Sequence, residues 1–312
     1  MKKTVFLAFL LLITAAAAAQ EQETYLYAQR DTCSLFLDVY RPAEGAETTL
    51  EGAPKPTVVF IFGGGFIMGR RDDPFHAPWF KRLTDNGYTV VSIDYRLGMK
   101  GYQVGKGLKG ALKASERFLL AQQIGVEDLF SAVAFLTQNR EQLGIDPDNL
   151  VVSGSSAGAI ITLAAVHEVA CGRTGILPKD FRFKGAMSFA GGIVSTSGAP
   201  DFPSAPCPIL LLHGTADEAV AYDKLAGMGK GLWGSNFLAG KLSKAGYPFC
   251  IYRFKDRTHA VAAYMDYVWD IEQAFLEQNV ILGHARSVDA VVDDPSLPSW
   301  FNVSLDDIYR KR

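Results

Sequence analysis

The chain predicts an α/β fold: a mostly parallel central sheet, an antiparallel hairpin at its N-terminal side, and helices on both faces. Three observations carry this. From Thr57 onward, short runs of Val, Ile, Leu and Phe alternate with longer stretches of helical periodicity. Continuous apolar runs of that length are strands covered on both faces, as in a parallel sheet. Before Thr57, residues 25–28 and 35–40 flank a polar turn, the pattern of an antiparallel hairpin. The third observation is the apolar content, 48% of 312 residues, which can fill one large core.

Taken in order, the predicted strands after the hairpin are 57–62, 89–94, 149–153, 185–189, 208–213 and 249–254. The predicted helices are 77–86, 126–143, 157–169, 237–245 and 259–277, with apolar residues at helical spacing such as Leu129, Val133 and Leu136. Two stretches break the alternation. Residues 97–110 hold five glycines and three lysines with no acid, and residues 222–235 hold four more glycines. Both follow strands at their carboxyl ends, where open α/β sheets bind ligands. Segments 97–125 and 222–245 are therefore expected to wall or cover a pocket. Beyond the last helix, residues 283–312 are polar and carry Pro295 and Pro298, which suits a surface extension. Asn302, Val303 and Ser304 match a glycosylation sequon.

The first residues read as a processing signal. Lys2 and Lys3 precede a short apolar run, and Ala17, Ala18 and Ala19 supply the small residues that a signal peptidase requires. The run is too short for a comfortable membrane span. Cleavage after Ala19 is expected, leaving residues 20–312 as a single exported domain with no stable membrane anchor. It would remove two lysines and no acid, taking the formal net charge from −2 to about −4. No basic patch suggests a nucleic-acid partner.

The chemistry centres on residues 150–158, where Gly154, Ser156 and Gly158 stand at the turn from a buried strand into an apolar helix. A sharp strand-to-helix turn leaves no room for side chains two residues before and two after the serine, so glycines there expose its Oγ. A serine hydroxyl barely ionises at neutral pH, so it needs a base and an acid that orients the base. Asp217 follows the strand 208–213, and His259 follows the strand 249–254. Both fall past the carboxyl ends of parallel strands, the same sheet edge as Ser156. Among the other histidines, His167 is too far along the helix, His213 lies on a strand before the acid, His76 precedes the serine, and His284 is in the tail. Glu218 and Asp223 are alternatives for the acid, and Asp217 is favoured by its place at the tight turn. The first strand of the parallel set empties into Gly63, Gly64, Gly65 and Phe66. The amides of Gly64 and Gly65, with that of Ala157 after the serine, are candidate donors to a developing oxyanion.

These segments resemble a known family. Residues 62–66 are similar to the HGGG oxyanion motif of the carboxylesterase and hormone-sensitive-lipase-like branch of the α/β-hydrolase superfamily. Residues 93–97 resemble its DYRL segment, 154–158 its elbow and 213–217 its acid turn, and residues 37–42 extend the likeness into the hairpin. The resemblance implies an α/β-hydrolase fold and carboxylic-ester hydrolysis without a cofactor. Phe62 stands where the family usually has histidine, so support of the oxyanion loop must come from elsewhere. In such a fold Cys171 and Cys207 both lie at the edge opposite the site, which permits a bridge, whereas Cys33 and Cys250 fall toward opposite ends of the sheet.

Two other enzyme readings and one binding reading compete. Gly63, Gly65 and Gly69 with Asp94 imitate a dinucleotide fingerprint, but residues 70–74 are charged and end in proline where a helix would have to open. A prolyl-type peptidase shares the triad order but usually carries a large accessory domain. A hydrolase fold retained only for binding would be expected to have lost a catalytic member. Short-chain or carbohydrate-linked esters, such as acetyl or feruloyl groups, suit an exported enzyme. Phe66, Tyr95, Tyr102 and Trp233 are candidate pocket aromatics, and Lys100, Lys106 and Lys109 would favour anionic substrates.

Overall fold

The computed structural model describes residues 22–227 and 229–299. The signal segment and the sequon therefore lie outside the described residues. The central sheet has nine strands, in the order β1 (Gln22–Gln29), β2 (Ser34–Tyr40), β6 (Thr89–Ile93), β5 (Thr57–Ile61), β7 (Leu150–Ser155), β8 (Gly185–Phe189), β10 (Ile209–Gly214), β13 (Cys250–Phe254) and β14 (Val288–Val292). β1 and β2 pair antiparallel, as do β2 and β6, and every later pair is parallel. Strands β5, β7, β8 and β10 are buried at every residue, which is why they read as unbroken apolar runs. A two-stranded turn, β3 (Thr49–Leu50) with β4 (Ala53–Pro54), precedes β5.

Helix α1 (Ala77–Asp85) covers one face of the sheet. Its lead-in turn is capped by Asp73, whose carboxylate accepts from the Phe75 amide at 3.0 Å. Helices α2 (Gly107–Gln138) and α4 (Ala157–Ala170) pack together on the other face, with the short α3 (Arg140–Leu143) after α2. Almost all of α4 is buried, as expected of a helix apolar on every side. Residues 112–138 of α2 are long and apolar enough to cross a membrane by composition, but much of this helix packs inside the fold.

Several boundaries differ from the sequence reading. Helix α2 starts at Gly107, not at 126, so the segment 97–125 is mostly helix. The glycines hid a run of good helix formers from Leu112 to Phe118. The segment 222–245 keeps the helix expected at 237–245 and adds strands before it. It contains β11 (Lys224–Gly227) and β12 (Lys230–Gly234), which form a three-stranded sheet with β9 (Gly192–Ser195), followed by α5 (Ser235–Ala245). The single helix expected over 259–277 is three pieces: a 3-10 turn His259–Ala263, α6 (Trp269–Phe275) and a π-helical end Leu276–Ile281. The extension after 283 contributes β14, an edge strand in which residues alternate between half-buried and exposed. All four cysteines are free thiols. The Cys171–Cys207 bridge is not formed: Cys171 Sγ lies 3.6 Å from His167 Nε2 and 3.9 Å from the Asp201 carbonyl, while Cys207 lines a small hollow with Val166, Phe183 and Pro206.

Candidate active site

The end of β7 delivers Ser156 into a backbone conformation that few L-residues adopt, φ 51° and ψ −115°. The surroundings hold it there. The Ser156 amide donates to the Phe189 carbonyl at 2.9 Å, tying the turn to β8. A Cβ on Gly154 would stand 2.3 Å from the backbone of Gly158, and one on Gly158 would stand 2.0 Å from the Ile61 carbonyl oxygen. Both glycines are therefore required by close approach, the first within the elbow itself and the second against β5.

The structure brings Ser156, Asp217 and His259 together, although 103 residues separate the serine from the histidine. His259 Nε2 lies 2.8 Å from Ser156 Oγ, and His259 Nδ1 lies 2.8 Å from Asp217 Oδ2. A carboxylate can only accept, so Nδ1 carries hydrogen, and in the neutral ring Nε2 accepts from the serine hydroxyl. Asp217 Oδ1 accepts from the amides of Ala219 at 2.9 Å and Val220 at 3.0 Å. Burial alone would raise the Asp217 pKa, but hydrogen bonds from His213 and His259 overcome it and hold the carboxyl well below the usual range. All three residues are buried, with exposures of 8% for Ser156, 6% for Asp217 and 3% for His259.

The glycine loop lies directly against the nucleophile. A Cβ on Gly63 would come within 3.2 Å of Ser156 Cβ. Gly64, Gly65 and Phe66 all have positive φ, at 108°, 64° and 61°. This bend lets the Gly64 carbonyl accept from the amides of Ile67 at 3.0 Å and Met68 at 3.2 Å. At Gly64 the bend also brings the Met68 carbonyl so close that a Cβ would sit 2.1 Å from its oxygen. Ala157 is the first residue of α4, and first-turn amides have no acceptor within their helix. The sequence left open what replaces the usual histidine at Phe62. Tyr95 packs there: its ring stacks on Phe62 with centroids 4.5 Å apart, and its hydroxyl donates to the Phe62 carbonyl at 3.1 Å. The Met99 amide holds the far end of the loop through the Phe66 carbonyl at 2.9 Å.

Two of the four candidate pocket aromatics are thus loop supports. Tyr95 is buried beneath the loop, and Phe66, at 1% exposure, packs edge-on against Tyr95 and Phe118. Trp233 is buried in β12, near Phe237, and Tyr102 is half-buried against the core. Lys100, Lys106 and Lys109 are exposed. Sequence reasoning missed Ser155. Its hydroxyl donates to the Ala262 carbonyl at 2.7 Å and so pins the 3-10 turn of His259 to the elbow. The adjacent serine in the motif was the available signal. A cavity of about 690 Å³ opens between α2, α4 and β9, but none of Ser156, Asp217 and His259 lines it. Among the described residues, no group of three or more His, Cys, Asp or Glu side chains could hold a metal.

The strand order, the elbow at the end of β7, and an acid and a histidine after later strands define an α/β-hydrolase. More narrowly, the chain belongs to the carboxylesterase family, whose model matches residues 14–172, just over half of its length. It is 32% identical over 126 residues to Esterase E4 of Myzus persicae, covering 40% of this chain and 20% of that protein. It is 28% identical over 167 residues to Lipase 1 of Geotrichum candidum, covering 53% of this chain and 26% of that one. The chain thus spans about a fifth to a quarter of these relatives. The apo form of Thermogutta terrifontis esterase 2 shares the fold, with a TM-score of 0.57 and 21% identity over 83% of this chain and 96% of that structure.

Proposed function

We propose that this chain is an exported serine esterase that hydrolyses short-chain or carbohydrate-linked carboxylic esters, such as acetyl or feruloyl esters, through an acyl-enzyme intermediate. The observation that carries the reading is the continuous hydrogen-bonded row from Ser156 through His259 to Asp217. Ser156 Oγ attacks the ester carbonyl carbon while His259 Nε2 takes its proton. Asp217 keeps the ring in the required tautomer and stabilises the imidazolium. The carbonyl oxygen becomes negative and accepts from the amides of Gly64, Gly65 and Ala157. Collapse expels the alcohol, which receives the proton from His259. Water, activated by the same nitrogen, then releases the acid and restores Ser156. No cofactor is needed in this sequence of steps.

Export rests on the basic, apolar and small-residue order of residues 1–19. The family match and the named esterases among its relatives support an ester substrate over a peptide one. The test is p-nitrophenol release from a series of short-chain esters by residues 20–312, beside Ser156→Ala. Turnover that falls by about 10³-fold or more in the variant is expected, and stoichiometric labelling of Ser156 by paraoxon should accompany it. Unchanged turnover in Ser156→Ala would remove the nucleophile from this scheme, and a folded wild type inert to both esters and paraoxon would favour a binding role. N-terminal sequencing of the secreted chain checks cleavage after Ala19.

A further inference from the structure

We infer that His213 is a positioning residue for this site: its Nε2–H clamps the Asp217 turn, and Ser235 fixes its tautomer. The inference rests on the esterase reading and extends its hydrogen-bonded row by two buried residues. His213 and Ser235 are both at 0% exposure.

The geometry starts at Nε2, which faces two acceptors, the Val220 carbonyl at 3.0 Å and Asp217 Oδ2 at 3.3 Å. Both can only accept, so Nε2 carries a hydrogen shared between them. Val220 in turn donates its amide to Asp217 Oδ1 at 3.0 Å. His213 therefore grips the acid directly through one oxygen and indirectly, through Val220, by the other. On the opposite side of the ring, Nδ1 lies 2.8 Å from Ser235 Oγ, which also lies 3.2 Å from the Gly191 carbonyl. A ring that holds its hydrogen at Nε2 leaves Nδ1 to accept from the Ser235 hydroxyl, whose one hydrogen also faces the Gly191 carbonyl. The ring edge also packs against Tyr222 at 5.7 Å.

This arrangement matters because Asp217 Oδ2 is the atom that accepts from His259. Without His213, Oδ2 keeps only His259 as a donor, and of the two amides on Oδ1, that of Val220 loses the anchor at its own carbonyl, so the alignment of His259 toward Ser156 loosens. Such a fault appears in the transition state rather than in ground-state binding, so it lowers kcat and spares KM. Ser235 opens α5 directly after β12, and Gly191 precedes β9. The small three-stranded sheet is thereby wired into the acid turn.

The experiment compares His213→Phe, His213→Gln, Ser235→Ala and Ser156→Ala in the mature chain. Readouts are p-nitrophenyl acetate kinetics, circular dichroism and the strongly downfield proton of His259 Nδ1–H. His213→Phe is expected to lower kcat by about 30- to 100-fold with KM within about twofold, and to broaden or shift that proton. His213→Gln keeps a donor near the Nε2 position and should restore kcat to within about tenfold of wild type. Ser235→Ala should lower kcat several-fold at unchanged KM. If His213→Phe does not fold, the Ser235→Ala and His213→Gln results decide alone. A folded His213→Phe with wild-type kcat overturns the inference, as does a Ser235→Ala indistinguishable from wild type should His213→Phe not fold. So does a kcat loss with the downfield proton intact and no rescue by glutamine. Activity surviving in Ser156→Ala would instead sink the underlying esterase reading.

Discussion

At the scale of single residues, the site depends on a few buried polar groups, each held by at least one hydrogen bond. Tyr95 is the clearest case. Its hydroxyl is the side-chain donor to the Phe62 carbonyl, at the root of the loop that supplies the proposed oxyanion amides. Tyr95→Phe removes one hydrogen bond, worth about 1 kcal/mol of stability, and leaves the stacked ring in place. The expected result is a modest fall in melting temperature and a drop in kcat of about three- to tenfold, with KM for p-nitrophenyl acetate nearly unchanged. Equal kcat in the two proteins would show that stacking alone holds the loop. In the sequence, Tyr95 stood out only as an aromatic near a strand end, because nothing local reveals which carbonyl a tyrosine will meet. His213 was likewise visible only as a histidine that came too early in the chain to be the base.

At the scale of elements, the elbow shows how backbone approach dictates sequence. Gly158 sits where α4 crosses the carboxyl end of β5, and a methyl there would meet the Ile61 carbonyl at 2.0 Å. Gly158→Ala must push α4 away from β5 or twist the turn, at a cost of about 3 kcal/mol. The variant should melt at a lower temperature in calorimetry and lose most of its ester turnover, since Ser156 rides on the displaced turn. A variant as stable and active as wild type would show that the approach is looser than the structure has it. The same scale explains the misread elements. Gly107 and Gly110 read as loop residues, yet Gly107, with φ 67°, stands at the very start of α2, and a helix-interior glycine such as Gly110 costs only about 1 kcal/mol, which the packing of α2 against α4 offsets. Strands β9, β11 and β12 are short and glycine-rich, and they pair only with one another. β11 and β12 form a hairpin, whereas β9 joins them only through tertiary position, and runs this short carry no readable periodicity.

At the scale of the whole molecule, one buried acid couples the core to pH. Glu272 of α6 is fully buried and accepts from Trp79 Nε1 of α1 at 2.7 Å, and among the described residues its Oε1 has no hydrogen-bond partner. Burial raises its pKa well above the ordinary carboxyl value, partly offset by the Trp79 hydrogen bond. Above the unfolded value of 4.5, the folded state keeps a proton that the unfolded chain has released. Stability from this group is therefore fully present at pH below about 4.5 and declines as pH rises toward the folded value. Glu272→Gln cannot ionise and should flatten that decline, so that the gap in melting temperature between variant and wild type widens in the variant's favour with rising pH. A parallel pair of melting curves across the neutral range would mean that Glu272 does not titrate in this way.

Legible in the sequence were the parallel sheet with its N-terminal hairpin, the family, and the three residues Ser156, Asp217 and His259 that the fold joins in one hydrogen-bonded row. Each of those is a local matter: buried strands must be apolar on both faces, an elbow must be flanked by glycine, and residues just past parallel strand ends share one edge. The tertiary structure alone decided that Tyr95 supports the loop Phe62 begins, that Ser155 pins the histidine turn, and that Cys171 and Cys207 stay apart. It also decided that the extension returns as β14 and that His213 and Ser235 stand behind Asp217. These are pairings between groups far apart in the chain, set by hydrogen-bond distances of about 3 Å. A sequence records which donors and acceptors are available, whereas only the packed chain brings particular ones within that reach.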